Sequence, residues 1–147
     1  MYILVTGGAG YIGSHASIEL LKRDYKVIIV DNFSNSSHQS IEIIRKISQK
    51  DLVVIDADVR NFEVLDSLFK KYPINSVMHF AGLKSVSSSI SNPLDYYDNN
   101  VYGSLQLLKA MTKHNIKKII FSSSATIYGN PLKLLIDETM IGNKPIN

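Results

Sequence analysis

Three features of this 147-residue chain predict an α/β fold, a doubly wound parallel sheet with helices on both faces. Short apolar runs alternate with helical patterns from the start to near the finish. The runs are continuously apolar rather than alternating, as strands covered on both faces should be. The first run, Tyr2 to Val5, ends in glycines spaced G-x-x-G-x-x-G (Gly7, Gly10, Gly13) that open a helix at once. Glycine there permits the tight turn and a close approach of backbone to a pyrophosphate, and the helix start supplies free N–H groups. Strand, glycine turn and helix in that order point to a Rossmann-like dinucleotide site.

In the helix after the turn, Ile12, Ala16, Leu20 and Leu21 share a face and are the expected core contacts. Val27 to Val30 is the second strand, followed by Asp31-Asn32 and a polar loop, Ser34 to Ser37. Ile41, Ile44 and Ile47 mark the core face of the second helix. Leu52 to Ile55 is the third strand. Asn61 is placed to cap a helix whose Val64, Leu65, Leu68 and Phe69 point inward and which Pro73 stops. Ser76 to Ala81 reads as the fourth strand, broken by Gly82. A serine-rich loop, Ser85 to Ser91, leads to Asn92-Pro93 and a long helix with Val101, Leu105, Leu108 and Met111 toward the core. Lys117 to Phe121 is the fifth strand, and from Asn130 the periodicity fades. Right-handed crossovers make the strand order 3-2-1-4-5. No linker or repeat interrupts the pattern, so residues 1–147 read as one domain.

Composition narrows the classes. An apolar content of 45% supports a real core, and no run is long enough to span a membrane. No signal-peptide pattern opens the chain and cysteine is absent, so a reducing, cytoplasmic setting is expected. The net charge of +3 comes from scattered pairs such as Lys22-Arg23, Lys70-Lys71 and Lys117-Lys118, which suit solvated faces and not a nucleic-acid patch. His15, His38 and His114 lack ligand spacing and His79 lies within a strand, so no metal site is expected.

Ligands of open parallel sheets bind outside the carboxyl ends of the strands, which selects five segments. Besides the glycine turn these are Asp31-Asn32, Asp58-Val59, Phe80 to Gly82 and the serine run Ser122 to Ser124. Asp31, about twenty residues past the glycines, can accept from adenosine ribose hydroxyls and would repel a 2′-phosphate, favouring NAD over NADP. Asp58 either meets the adenine or closes an Asp-x-x-Asn turn. Lys84 is either a solvated loop lysine or a contact to the cofactor. The serine run is either a turn of small residues or a place to position a substrate hydroxyl. No histidine pattern accompanies it to suggest a nucleophilic triad.

Four motifs recur in order over nearly the whole chain: Thr6-Gly7-Gly8-Ala9-Gly10-Tyr11-Ile12-Gly13-Ser14-His15, His79 to Val86, Tyr96-Tyr97-Asp98-Asn99-Asn100-Val101, and Phe121 to Gly129. With them the chain resembles the extended short-chain dehydrogenases and, among these, the UDP-glucose 4-epimerases. Sugar-nucleotide 4,6-dehydratases carry an Asp-Glu pair before Val/Ile-Tyr-Gly, where this chain has Ala125-Thr126. The resemblance implies an NAD site lined by Tyr11, Ile12, Asp31, Asn32, Phe33, Ser34, Asn35 and Ser36. It adds Asp58, Val59, Phe80, Ala81, Gly82, Leu83, Lys84, Asn99 and Ser122 to that site. It also implies that Ser124 is the catalytic residue holding the sugar hydroxyl at the reacting carbon, with Lys84 and Thr126 near the substrate. In that family UDP-galactose and UDP-glucose interconvert through a 4-keto sugar, NAD being regenerated.

The family's Tyr-x-x-x-Lys occurs nowhere in these residues; Tyr128 belongs to a Tyr-Gly turn and has no lysine four residues on. The expectation is therefore the NAD-binding portion of such an enzyme, without its substrate domain and inactive alone, since a positioned base supplies ~100- to 10,000-fold. A homodimer is possible for it. The alternatives are a non-catalytic NAD-binding module or remnant, and an epimerase for another nucleotide sugar.

Overall fold

A computed structural model describes residues 1–129 and 135–137. Five parallel strands, β1 (Tyr2–Thr6), β2 (Lys26–Asp31), β3 (Val53–Asp56), β4 (Ile74–His79) and β5 (Ile119–Phe121), form one sheet in the order 3-2-1-4-5 that the sequence predicts. Leu4 stands beside Ile28 on one side and Val77 on the other. Because successive side chains alternate faces, each central strand feeds two cores. Leu4, Ile28 and Val77 pack with Leu65, Leu68 and Phe69 of α3 (Phe62–Lys71) and with Leu107, Ala110 and Met111 of α6 (Gly103–Lys113). Ile3, Val5, Val27 and Ile29 pack with Ile18 and Leu21 of α1 (Tyr11–Lys22) and Ile41 and Ile44 of α2 (His38–Ser48). That double duty is why the strands read as unbroken apolar runs.

The helices sit in the expected places, but three present different faces from those the pattern suggests. In α1 the buried residues are Gly13, Ser17, Ile18 and Leu21, whereas Ile12 is exposed and Ala16 and Leu20 are only half-buried. The glycine turn dictates this rotation. A Cβ at Gly13 would lie 2.2 Å from the Gly7 carbonyl oxygen, so the bare Gly13 must face the strand. In α2 the buried stripe runs Ile41, Ile44, Ser48, and Ile47 stands in solvent one residue off it.

The largest departure is in α6. The structure buries Gly103, Gln106, Leu107, Ala110 and Met111, and leaves Val101, Leu105 and Leu108 exposed. Two physical features explain the reversal. A Cβ on Gly103 would come within 2.8 Å of Val59 Cγ1, so the small residues Gly103 and Ala110 face inward where the helix lies close. A π-helical turn, Tyr97–Tyr102, also resets the phase ahead of α6.

The serine segment is likewise no loop. It forms α4 (Val86–Ser91), whose first turn Ser85 caps by accepting from the Ser88 N–H, and Pro93 then opens α5 (Pro93–Tyr96). Composition alone reads serines as loop because they compete for backbone partners. Here that same property caps a helix. β4 ends at His79 rather than Ala81, leaving Phe80 and Ala81 as part of the following turn, and β5 shrinks to three residues. Asn61 caps α3 as predicted, its side chain accepting from the Val64 N–H.

Candidate functional site

The carboxyl ends of the strands open onto two adjoining cavities of about 580 and 230 Å³, and Gly7, Gly10, Tyr11 and Phe80 to Lys84 border both. The floor between them is the glycine turn. Gly7 adopts φ +70°, and a Cβ there would meet the Ala81 nitrogen at 2.6 Å. Gly10, just before α1, makes no side-chain cap, and Gly10, Tyr11, Ile12 and Gly13 line the larger cavity, so the helix starts at the cleft. A turn with no room for a Cβ at Gly7 or Gly13 that ends on an uncapped helix start suits a pyrophosphate.

The smaller cavity adds Asp31, Asn32, Ser34, Asn35, Ala57, Val59 and Asn99. Asp31 is almost fully buried. Its Oδ2 accepts from the Ala9 N–H at 2.9 Å, and its Oδ1 accepts from the Phe33 N–H at 3.0 Å and the Ser36 hydroxyl at 2.9 Å. A carboxylate offers about four lone-pair positions, so a ligand finds one still open. Asp31 thus braces the glycine turn as well as facing the cavity, a duty that spacing did not reveal. Asn32 donates to Asp58 Oδ2 at 2.8 Å, and the Arg60 guanidinium beside Asp58 holds that carboxyl down at about 2.

Three of the predicted site residues stand behind the cavity wall, not on it. Phe33 stacks on the His38 ring with centroids 3.7 Å apart, Ser36 is spent on Asp31, and Asp58 reaches the wall only through Asn32. Lys84 is exposed and borders both cavities. Ser122, Ser123, Ser124 and Ala125 line the larger cavity together with Tyr11, Ile12 and Gly13. Thr126 lies on a 3₁₀ turn, Ala125–Tyr128, and its side chain falls outside the described residues.

The sequence reading missed Asn100. Its Oδ1 accepts from the Leu83 N–H and its Nδ2 donates to the Leu83 carbonyl, both at 2.8 Å, so one side chain holds the turn after β4. The Asn99-Asn100 doublet was the available signal: two adjacent amides, one bordering each cavity.

Behind this turn sits His79, 2% exposed and with both ring nitrogens hydrogen-bonded. Ser104 donates its hydroxyl to the Asn100 carbonyl, so its oxygen accepts from His79 Nε2 at 2.9 Å. His79 Nδ1 is then the acceptor for the Thr6 hydroxyl at 2.6 Å. Burial pushes the imidazole down to about 4, keeping it neutral. Among the described residues no three His, Cys, Asp or Glu side chains are grouped to hold a metal, and no helix is long and apolar enough to cross a membrane.

Comparison with known proteins follows the geometry. The family model described as GDP-mannose 4,6 dehydratase matches residues 4–145. UDP-glucose 4-epimerase of Bacillus subtilis is 51% identical over 131 residues, which are 89% of this chain and 39% of that protein. A UDP-glucose 4-epimerase sequence of Klebsiella pneumoniae is 46% identical over 134 residues, covering 91% of this chain and 96% of its own length. The crystal structure of UDP-glucose 4-epimerase from Bifidobacterium longum, in complex with NAD+ and UDP, superposes with a TM-score of 0.93 at 50% identity. The match covers 97% of this chain and 43% of that one. The chain therefore spans about two fifths of the Bacillus relative and of the solved structure.

Proposed function

Because the chain belongs to the GDP-mannose 4,6 dehydratase family and, within it, to the UDP-glucose 4-epimerases, we propose that its cleft is the NAD site of a nucleotide-sugar epimerase. The observation that carries this is the floor of the cleft. Gly7 and Gly13 leave no space for a Cβ, and the uncapped start of α1 offers its N–H groups there. Tyr11 and Ile12 contribute those N–H groups toward the pyrophosphate. Asp31, with its open lone-pair position, faces the adenosine ribose, and Asn32, Val59 and Asn99 border the adenine end. Phe80 to Lys84 and Ser122 flank the other half. When bound, NAD supplies a reversible hydride acceptor.

Within this reading Ser124 orients the reacting hydroxyl of a UDP-sugar, with Lys84 and Thr126 toward the same end. No residue of the chain takes that hydroxyl's proton. The 147 residues contain no Tyr-x-x-x-Lys, and Tyr128 is followed by Gly129 on a turn. These residues alone accordingly bind NAD as a single domain and do not interconvert UDP-galactose and UDP-glucose. Titration calorimetry with NAD and NADP tests the first half of the reading: NAD binds and NADP does so at least tenfold more weakly, because the Asp31 carboxylate opposes a 2′-phosphate. Absence of any heat with NAD refutes it. Epimerase turnover by the purified chain refutes the second half.

The missing base also favours one alternative, a module that binds NAD without catalysis. An epimerase for a different nucleotide sugar is the other. A cytoplasmic protein without cysteine fits each of them.

A further inference from the structure

The polar residues at the adenosine end are joined by one side chain to which no site role has been given so far, Arg60. Its Nε donates to Asp58 Oδ1 at 2.8 Å and its Nη2 to Asp58 Oδ2 at 2.7 Å, the two-pronged geometry that fixes a carboxylate's orientation. Its remaining nitrogen, Nη1, pairs with Asp98 at the start of the π-helical turn. Asp58 Oδ2 in turn receives the Asn32 amide, and Asp58 Oδ1 the Arg60 backbone N–H. One guanidinium thus ties the exits of β2 and β3 to the π-helical turn.

Each anchor sits beside a residue that borders the smaller cavity. Asn32 is bonded to Asp58, Val59 precedes Arg60, and Asn99 follows Asp98. Gly103, at the start of α6, rests on Val59 and on the Arg60 stem, where a Cβ would fall 2.8 Å from Val59 Cγ1 and 3.4 Å from Arg60 Cγ. The segment has no slack on that side. A single exposed ion pair adds little stability, and these side chains are partly exposed, at 39% for Arg60 and 52% for Asp98. The fork's effect is geometric. It sets where three wall segments stand relative to one another.

We propose that Arg60 is a positioning residue for the adenosine half of the cleft, holding Asn32, Val59 and Asn99 at the spacing an adenine nucleotide needs. The proposal rests on the NAD reading above. It predicts the largest loss for ligands that carry adenosine, because Asn32, Val59 and Asn99 border only the smaller cavity, whereas Asn100, on the same π-helical turn but facing the larger one, is held separately by its two hydrogen bonds to Leu83.

Calorimetry of the chain and of its Arg60→Met and Asp98→Ala variants with NAD, AMP and nicotinamide mononucleotide tests it. Arg60→Met should bind NAD and AMP about tenfold more weakly, about 1.4 kcal/mol, while nicotinamide mononucleotide changes by less than about twofold. The thermal midpoint should stay within about 3 °C. Asp98→Ala keeps the Arg60–Asp58 fork and frees only the π-helical turn, so it should show the same selective pattern at about threefold. It decides the matter if Arg60→Met does not fold. Equal losses for all three ligands, or unchanged NAD and AMP binding in both variants, overturn the proposal. If the unaltered chain binds neither NAD nor AMP, the NAD reading itself falls and takes this inference with it.

Discussion

Gly13 shows how little tolerance the floor of the cleft has. A methyl group there would lie 2.2 Å from the Gly7 carbonyl oxygen and 2.8 Å from Gly8 Cα, both backbone atoms that cannot swing aside. Gly13→Ala should cost about 1–3 kcal/mol of stability and weaken NAD binding at least tenfold, measured by thermal melts and calorimetry on one preparation. His79 makes a second prediction, in pH. Its folded-state value is lowered to about 4 from the ordinary 6.5, so between those values the unfolded chain binds a proton that the folded chain refuses. Protons bound only by the unfolded state favour it as the medium acidifies. Stability is therefore complete above pH 6.5 and declines toward pH 4 by roughly 3 kcal/mol. Urea melts across that window should show the slope, and His79→Gln should flatten it. An equal slope in the variant would assign the proton elsewhere.

α3 and α6 illustrate what decides which face of a helix is inside. Their seam is closed by Leu65, Leu68, Leu107 and Ala110 and by Asp66, which pairs with Lys70, Lys113 and His114. Those partners hold the Asp66 carboxyl well below the usual range, Lys70 first among them. On the opposite face, Leu94, Tyr97, Val101, Leu105 and Leu108 form an exposed apolar stripe along α5, the π-helical turn and α6. Patches of this kind mark contact surfaces. The chain should self-associate as its concentration rises, and Leu105→Lys with Leu108→Glu should restore a monomer in light scattering. The double variant should keep its thermal midpoint within about 3 °C, because neither leucine is in the core. A monodisperse monomer for the unaltered chain at high concentration would refute this.

For the whole domain, ligand and fold are coupled through the turn that joins β1 to α1. If NAD binds only the folded chain, NAD at 100 times its dissociation constant adds about 2.7 kcal/mol. For a chain of this size that raises the thermal midpoint by roughly 5–10 °C. A melt unchanged by saturating NAD would contradict the proposed site. Whether or not a substrate domain is added to it, the cleft already presents its Ser124 end and the end proposed for adenosine from a single sheet.

What could be read in advance follows from the range of the forces involved. The strand order, the glycine turn and the Asn61 cap rest on local pattern and on steric rules that any right-handed crossover obeys. The sequence alone therefore determined the parallel sheet and the place of the cleft. It did not determine which way α1 and α6 turn. That depended on where the backbone comes too close for a Cβ, at Gly13 and Gly103, contacts between segments far apart in the chain. Nor could spacing reveal that Asp31 braces Ala9, that Asn100 holds Leu83, or that Arg60 joins Asp58 to Asp98. A side chain's partners across the sheet exist only once the strands are paired, and it is those partners that turn a glycine-rich strand end into a shaped cleft.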